Sequence, residues 1–360
     1  MRLSVLSVGY PLAPVSTSTA GGAEQVLATI DQALVNAGHG SVVIAPEGSR
    51  CKGLLLPTHL PAPPWGEEQK REAREQHRHA IRRALDRFPI DVIHMHGIDF
   101  AEYLPCEGQP VVVTLHLPLH WYPVAALRPK RPKTYLVAVS ESQAKTAPTD
   151  VHVDRTITNG VRMQPGFLPK SHRKYVLAMG RICTEKAFHL AIDAAHAAGF
   201  PLWLAGTTFQ YPEHRKYFEE EIEPRLRAGD RILRPVGGDR KRDLIGGARC
   251  VVIPSQAPET SCLVAMEALA CGIPVVAIDV GALPEIVDHG HTGFLVHSVE
   301  EMVQAIHQVG QIRPEDCQRA ADLTFSAEIM VTKYFNLYND VLKRRISESS
   351  EVNSWVSQPA

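Results

Sequence analysis

Pro254-Ser-Gln-Ala-Pro-Glu-Thr-Ser-Cys-Leu-Val-Ala-Met-Glu-Ala-Leu-Ala-Cys-Gly-Ile-Pro-Val-Val-Ala277 reads as one strand–loop–helix–strand unit. The apolar run Cys250–Pro254 predicts a strand. A helix starts near Ser261, runs to about Ala270 and stops at Gly272, and Val275–Ile278 is the next strand. Continuous apolar strands with helices between them imply a parallel sheet covered on both faces. Glu259 then lies just before the helix, at the C-terminal edge of the sheet, and Glu267 lies inside it. The amides of Ser261, Cys262 and Leu263 form an anion site aided by the helix dipole. A carboxylate beside an anion site suits a neutral partner such as a sugar diol, which donates two hydrogen bonds to it. A surface N-cap glutamate is the plainer alternative for Glu259.

The same alternation runs outward over almost the whole chain. Leu3–Val8, Ser41–Ala45, Val92–His96, Val111–Leu115 and Leu136–Val139 predict strands in the first half. Val176–Met179 and Leu202–Ala205 do so in the second, ahead of Cys250. The helix after the first strand carries Val26, Leu27, Ile30 and Leu34 on one face, with Gly38 at its stop. Between Gly160 and Tyr175, two prolines and a glycine interrupt the pattern and predict a linker. The expectation is two doubly wound α/β domains around a cleft, with ligands outside the C-terminal strand ends.

Composition narrows the function classes. A length of 360 residues fits two domains. With 44% hydrophobic and 21% charged residues, the chain is globular rather than disordered. A net charge of −1 argues against a protein that coats nucleic acid. No apolar run approaches the ~18–20 residues of a membrane helix. Met1–Val8 lacks the long apolar core of a secretory signal. The 7 cysteines form no Cys-x-x-Cys pair, so reduced thiols and a cytoplasmic location are expected. The charge-dense segment Glu67–Phe88 reads as a solvated helix, with a membrane-surface helix as the sharper alternative. The loop Arg128-Pro-Lys-Arg-Pro-Lys133 would add cations to such a surface.

Three further places carry candidate chemistry. In Gly180-Arg-Ile-Cys-Thr-Glu-Lys186, Arg181 and Lys186 stand at a strand exit. Arg by its planar fork and Lys as a point charge can hold a diphosphate; a solvated loop is the alternative. Gly21 and Gly22 allow close backbone approach at a helix N-terminus. They do not form Gly-x-Gly-x-x-Gly, so no dinucleotide cofactor is inferred. His94-Met-His96 and His116-Leu-Pro-Leu-His120 could suggest metal, but Pro118 breaks any helical face between His116 and His120. No cysteine or carboxylate cluster completes a metal set, and no Asp-x-Asp occurs. Of the histidines, His116 is singled out because it ends a strand facing the expected cleft. Trp65, Trp121 and Tyr122 could stack on a sugar or pack ordinarily.

Pro254–Ala277, continued by Gly281-Ala-Leu-Pro-Glu-Ile-Val-Asp-His-Gly-His-Thr-Gly-Phe-Leu-Val296, resembles the signature of glycosyltransferase family four (group one). These are retaining enzymes of the GT-B fold. The spacing of Glu259 and Glu267 matches that family's Glu-x7-Glu motif. Gly180-Arg181 with Glu185-Lys186, Gly21-Gly22-Ala23-Glu24 and Asn159-Gly160-Val161 also fit. Three positions depart from the usual pattern. Thr260-Ser261-Cys262 stands where many members have Gly-Phe-Gly, Ala187 where glycine is common, and Gly281-Ala282 in place of Gly-Gly.

The resemblance implies two Rossmann-like doubly wound domains facing a central cleft: 1–165 on the acceptor side and 166–324 on the donor side. A helix over 325–345 would return to the first domain, and 346–360 would be a flexible tail. It implies transfer of a sugar, with retention, from a nucleoside diphosphate sugar to an acceptor hydroxyl, UDP favoured over GDP. Arg181 and Lys186 would neutralise the leaving diphosphate in place of a metal. Glu267 would bind the ribose, and Glu259 and the Ser261–Leu263 amides the sugar and phosphate. Gly21 and Gly22 would approach the diphosphate, and His116 would contact the donor sugar. A GT-B epimerase or hydrolase and a non-catalytic nucleotide-sugar-binding module are the rival readings. The acceptor is open among small-molecule, glycan and lipid-linked acceptors, and peripheral contact at the inner face of a membrane stays open with it. No cofactor, divalent metal or nucleic acid is expected.

Overall fold

The computed structural model describes residues 2–356 except 20, 164–165, 168, 170–173 and 210, with side chains as far as 343. Part of the expected linker between Gly160 and Tyr175 lies outside these residues. The chain forms two compact units. The first is Met1–Val139, Thr146–Ile157 and Met330–Ala360; the second is Ser140–Lys145 and Thr158–Ile329.

The first unit contains β1 (Ser4–Val8), α1 (Gly22–Asn36), β2 (Gly40–Pro46), β3 (Leu54–Thr58), α2 (Glu67–Arg87), β4 (Val92–Met95), β5 (Val111–Leu115) and β6 (Thr134–Ala138). After α3 (Glu141–Lys145), which clusters with the second unit, β7 (Arg155–Thr156) completes the sheet. All seven strands are parallel, in the order β3-β2-β1-β4-β5-β6-β7. Such a sheet is covered on both faces, which is why β4 and β5 are buried along their whole length. α1 buries the predicted stripe of Val26, Leu27, Ile30 and Leu34.

α2 is not simply a solvated helix. Ala73, His77, Ala80, Ile81 and Ala84 recur at helical spacing and pack into the unit, so its apolar face is not offered to a membrane. The expected cationic loop is likewise partly structural. Arg131 is buried and donates to the carbonyls of Pro105, Gln109 and Pro132, while Arg128 pairs with Asp150. No helix among the described residues is long and apolar enough to cross a membrane.

The second unit contains β8 (Tyr175–Arg181), α4 (Phe188–Ala197), β9 (Leu202–Thr207), α5 (Pro212–Tyr217), β10 (Arg231–Leu233) and α6 (Gly238–Gly246). β11 (Ala248–Ile253), α7 (Leu263–Ala270), β12 (Val275–Ile278), α8 (Leu283–Ile286), β13 (Gly293–Val296), α9 (Val299–Gln308) and α10 (Pro314–Phe325) follow. Its six parallel strands run β10-β9-β8-β11-β12-β13, the same Rossmann-like order as in the first unit. In each sheet the order reverses beside the first strand, between β1 and β4 and between β8 and β11.

α7 is apolar nearly all round, with Ala265, Met266, Ala268, Leu269 and Ala270 buried, as befits a helix inside the unit. Gly272 ends it with φ +69°, and the amides of Gly272 and Ile273 return to the carbonyls of Leu269 and Ala268. Glu285 on α8 accepts from the Glu141 and Ser142 amides at 3.0 and 2.6 Å, which ties α3 to the second unit.

After Ser326 the last helix, α11 (Ala327–Val356), belongs to the first unit from Met330 onward. The helix continues past 345, where the sequence places its end and a flexible tail, because no glycine or proline interrupts it before Val356. The 357–360 part of that expected tail lies outside the described residues. Tyr334 and Tyr338 from α11 are fully buried against β4 and β5. The Tyr338 hydroxyl bonds His94 Nδ1 at 2.7 Å, His94 Nε2 bonds Thr114 Oγ1 at 2.7 Å, and Thr114 Oγ1 bonds the Tyr334 hydroxyl at 2.8 Å. Polar groups this deep are, in the large majority, hydrogen-bonded.

Candidate active site

At the reversal point of the second sheet, the loops that leave β8 and β11 meet. The amide of Gln256 donates to the Glu185 carbonyl at 3.1 Å. This brings Lys186 Nζ within 2.5 Å of Glu259 Oε1, and Ser255 Oγ donates to the same oxygen. Both long side chains are largely enclosed, Lys186 28% and Glu259 11% exposed. Burial alone would push the Lys186 ammonium down; the Glu259 carboxylate, by charge and by hydrogen bond, leads the groups that together hold it above its ordinary range. Arg181 ends β8 and lies over the Phe209 ring at 5.6 Å.

The helix that follows Glu259 starts at Leu263, two residues later than the sequence suggests, with Cys262 at its cap. The amides of Ser261, Cys262 and Leu263 find no acceptor among the described residues. Ser261 Oγ accepts from Asn159 Nδ2 at 3.0 Å, while the buried Asn159 Oδ1 has no partner among the described residues. The Cys262 thiol is pushed up to about 12 by burial and is therefore neutral. One turn into α7, Glu267 Oε1 accepts from Lys241 Nζ at 2.6 Å. The second unit thus gathers Arg181, Lys186, Glu259, Ser261, Cys262, Leu263 and Glu267. Sequence reasoning missed the roles of Ser255 and Lys241. Lys241 sits in the charged run Asp239-Arg-Lys-Arg-Asp243, where spacing alone does not say which cation turns inward.

Gly21, Gly22 and His116 are in the first unit. Gly21 caps α1, but the room its missing side chain leaves is taken: a Cβ there would meet Glu24 Oε2 at 1.9 Å. Burial raises the Glu24 carboxyl above its ordinary range, opposed by a bond to its own amide. The missing side chain there makes way for the Glu24 carboxylate. His116 stacks on His96 at 5.3 Å, with Nε2 bonded to His96 Nδ1 at 3.0 Å. Burial lowers both His94 and His116 to about 3. Tyr122 is buried beside Phe100, and the half-buried Trp65 donates its indole N–H to the Pro61 carbonyl. Trp121 is exposed.

One group of metal-type ligands occurs among the described residues: Cys183, Glu185 and His214, with ligand atoms within 4.8 Å of one another. The Arg181 charge acts on all three. A fixed cation beside the triplet opposes a second one, so the triplet is a poor fit for a divalent ion.

The family described as Glycosyltransferase Family 4 matches residues 20–164, and that described as Glycosyl transferases group 1 matches residues 173–311. N-acetyl-alpha-D-glucosaminyl L-malate synthase of Bacillus anthracis is 28% identical over 131 residues, 34% of this chain and 34% of that one. D-inositol 3-phosphate glycosyltransferase of Saccharomonospora viridis is 44% identical over 87 residues, 24% of this chain and 20% of that one. The matched stretches span about a third or less of these curated relatives. Among solved structures, HepE of Anabaena, determined with UDP and glucose, superposes with a TM-score of 0.70 at 18% identity. That match covers 94% of this chain and 100% of HepE, and it shows a shared fold.

Proposed function

This chain belongs to the group 1 glycosyltransferases of family four, and we propose that it moves a sugar, with retention, from a nucleoside diphosphate sugar to an acceptor hydroxyl. UDP is the first choice of nucleotide and GDP the second. The observation that carries the reading is the Lys186–Glu259 pair beyond the strand ends, beside the Ser261–Leu263 amides, which find no acceptor among the described residues.

In this reading Arg181 and Lys186 face the diphosphate and Glu259 faces hydroxyls of the donor sugar. Glu267 accepts from the ribose. As the bond to the leaving diphosphate breaks, negative charge grows on its oxygens, and fixed cations and amides stabilise that charge more than they stabilise the intact donor. Lys186 already sits against Glu259, so the diphosphate meets a cation whose position is set before binding. The acceptor's hydroxyl attacks from the face the diphosphate leaves, and the phosphate takes its proton. His116 contacts the donor sugar.

Two steps test this. A binding screen of UDP- and GDP-sugars is followed by mass spectrometry with candidate acceptors. A glycosylated product is the expected result; an altered or hydrolysed sugar would favour an epimerase or hydrolase, and binding without turnover a non-catalytic module. Glu259→Gln and Glu267→Gln then separate the carboxylates. Glu267→Gln should weaken free nucleotide about 10–150-fold, the loss of a hydrogen bond to a charged group. Glu259→Gln should lower turnover and leave nucleotide affinity nearly intact, since Lys186 keeps its charge and loses only the partner that holds it in place. Equal weakening of nucleotide by both variants would overturn the assignment.

A further inference from the structure

We propose that Lys241 is a positioning residue for the nucleotide: it clamps the Glu267 carboxylate and so keeps it an acceptor for the ribose hydroxyls. This rests on the assignment of Glu267 to the ribose.

The geometry is that of an ion pair with one oxygen left over. Lys241 rises from the first turn of α6, donates to Glu267 Oε1 at 2.6 Å and touches Oε2, which accepts no hydrogen bond among the described residues. The two side chains are 15% and 19% exposed, so water does little to solvate either. Arg242, the next residue, turns elsewhere. It pairs with Asp239 at 2.9 Å, approaches Asp243 at 3.8 Å and lies over the Phe167 ring at 5.6 Å.

The other titratable groups around Glu267 do not replace Lys241. Cys262 and Cys271, at the two ends of α7, are held up to about 12 by burial and stay neutral. Cys317 on α10 donates to the Thr292 carbonyl, and Glu285 on α8 is bound to the Glu141 and Ser142 amides. Burial raises the Glu267 carboxyl, and Lys241 opposes that rise by charge and by hydrogen bond. Without Lys241 the carboxyl takes up a proton at higher pH. One oxygen then becomes a donor, and the site loses the charged acceptor that a vicinal diol needs.

The test is calorimetry with UDP or GDP, whichever the wild type binds more tightly, between pH 8 and pH 6. Each variant is read as its affinity ratio to wild type at the same pH, which removes the titration of the nucleotide's own phosphate. For Lys241→Met the loss should grow as pH falls, approaching the about 10–150-fold loss of Glu267→Gln. Lys241→Arg, which keeps the charge, should show a small, flat ratio. In the double variant Lys241→Met/Glu267→Gln the added pH dependence should vanish. A Lys241→Met ratio that is flat with pH would overturn the proposal, because a merely structural lysine would weaken binding without a pH signature. If Glu267→Gln itself leaves nucleotide affinity unchanged, the ribose assignment fails and the proposal falls with it. If Glu267→Gln weakens binding and Lys241→Met does not, only the proposal fails.

Discussion

A Cβ on Gly281 would lie 2.4 Å from the carbonyl oxygen of Glu259 and 2.5 Å from its amide nitrogen, with Gly281 at φ +61°. The Ala282 amide donates to the same carbonyl at 2.8 Å. The turn after β12 therefore presses on the backbone of the loop that carries the candidate sugar-binding carboxylate. Gly281→Ala should cost about 1–3 kcal/mol of stability through left-handed strain. Because the clash is with backbone, the Glu259 loop must move. Displacement near 1 Å at a reacting centre costs about 100-fold in rate. Turnover at a temperature where the variant is fully folded is the measurement, and wild-type turnover there would refute the link.

Ala187 presents the opposite case. It follows Lys186 at φ +49°, a left-handed conformation that costs a non-glycine residue about 1–2 kcal/mol. Glycine would relieve this, but its freer unfolded chain returns about 0.5–1 kcal/mol. Ala187→Gly should therefore gain about 0.5–1 kcal/mol, read as a higher denaturant midpoint at unchanged slope. A loss of stability would mean that the Ala187 methyl, which is fully buried, packs better than the strain costs.

Metal dependence follows from the cations. Arg181 and Lys186 supply positive charge where the diphosphate is expected, and Arg181 bears on the Cys183–Glu185–His214 triplet. Turnover should be unchanged within about twofold after exhaustive chelation, a free-energy change well under 1 kcal/mol. Activity lost to chelator and restored by magnesium or manganese would refute this.

The long buried strands were legible because an apolar run such as Val111–Leu115 has one stable fate, the interior of a parallel sheet. β3, β7, β10 and β13 escaped, being short or half-exposed and, at Pro57, interrupted by a residue that cannot donate to a ladder. The placement of the two glutamates, one before and one within the helix of a strand–loop–helix unit, was legible. Their partners were not. Lys186 and Glu259 are 73 residues apart and Lys241 and Glu267 26 apart, and no local periodicity encodes which pairs close. Glu24, folded into the space at Gly21, was hidden for a different reason: the pattern shows that room exists, not what fills it.

The histidines in β4 and at the ends of β4 and β5 make stability depend on pH. His94 and His116 are held at about 3 by burial, and His96 lies well below its ordinary value for the same reason, with neighbouring histidines adding to it. In the unfolded chain each titrates near 6.5. Below that pH the unfolded state binds protons that the native state refuses, so stability is fully present above about 6.5 and is lost as pH falls toward 3. From pH 6.5 to pH 5 each of His94 and His116 contributes about 1.6 kcal/mol of loss, the slope rising toward 1.36 kcal/mol per unit as the unfolded imidazole fills with protons. The raised carboxyls Glu24, Asp99 and Glu267 act in the other direction, since they take up protons in the native state first. The histidine term is isolated by His94→Gln, which offers an amide to the hydroxyls of Tyr338 and Thr114 and does not titrate. Denaturant unfolding at half-unit steps should show the wild-type slope of stability against pH reduced by about 1.4 kcal/mol per unit between pH 6 and pH 4.5. That difference is one proton's worth. If the variant keeps the wild-type slope, His94 is not the buried neutral base that its bonds to Tyr338 and Thr114 describe.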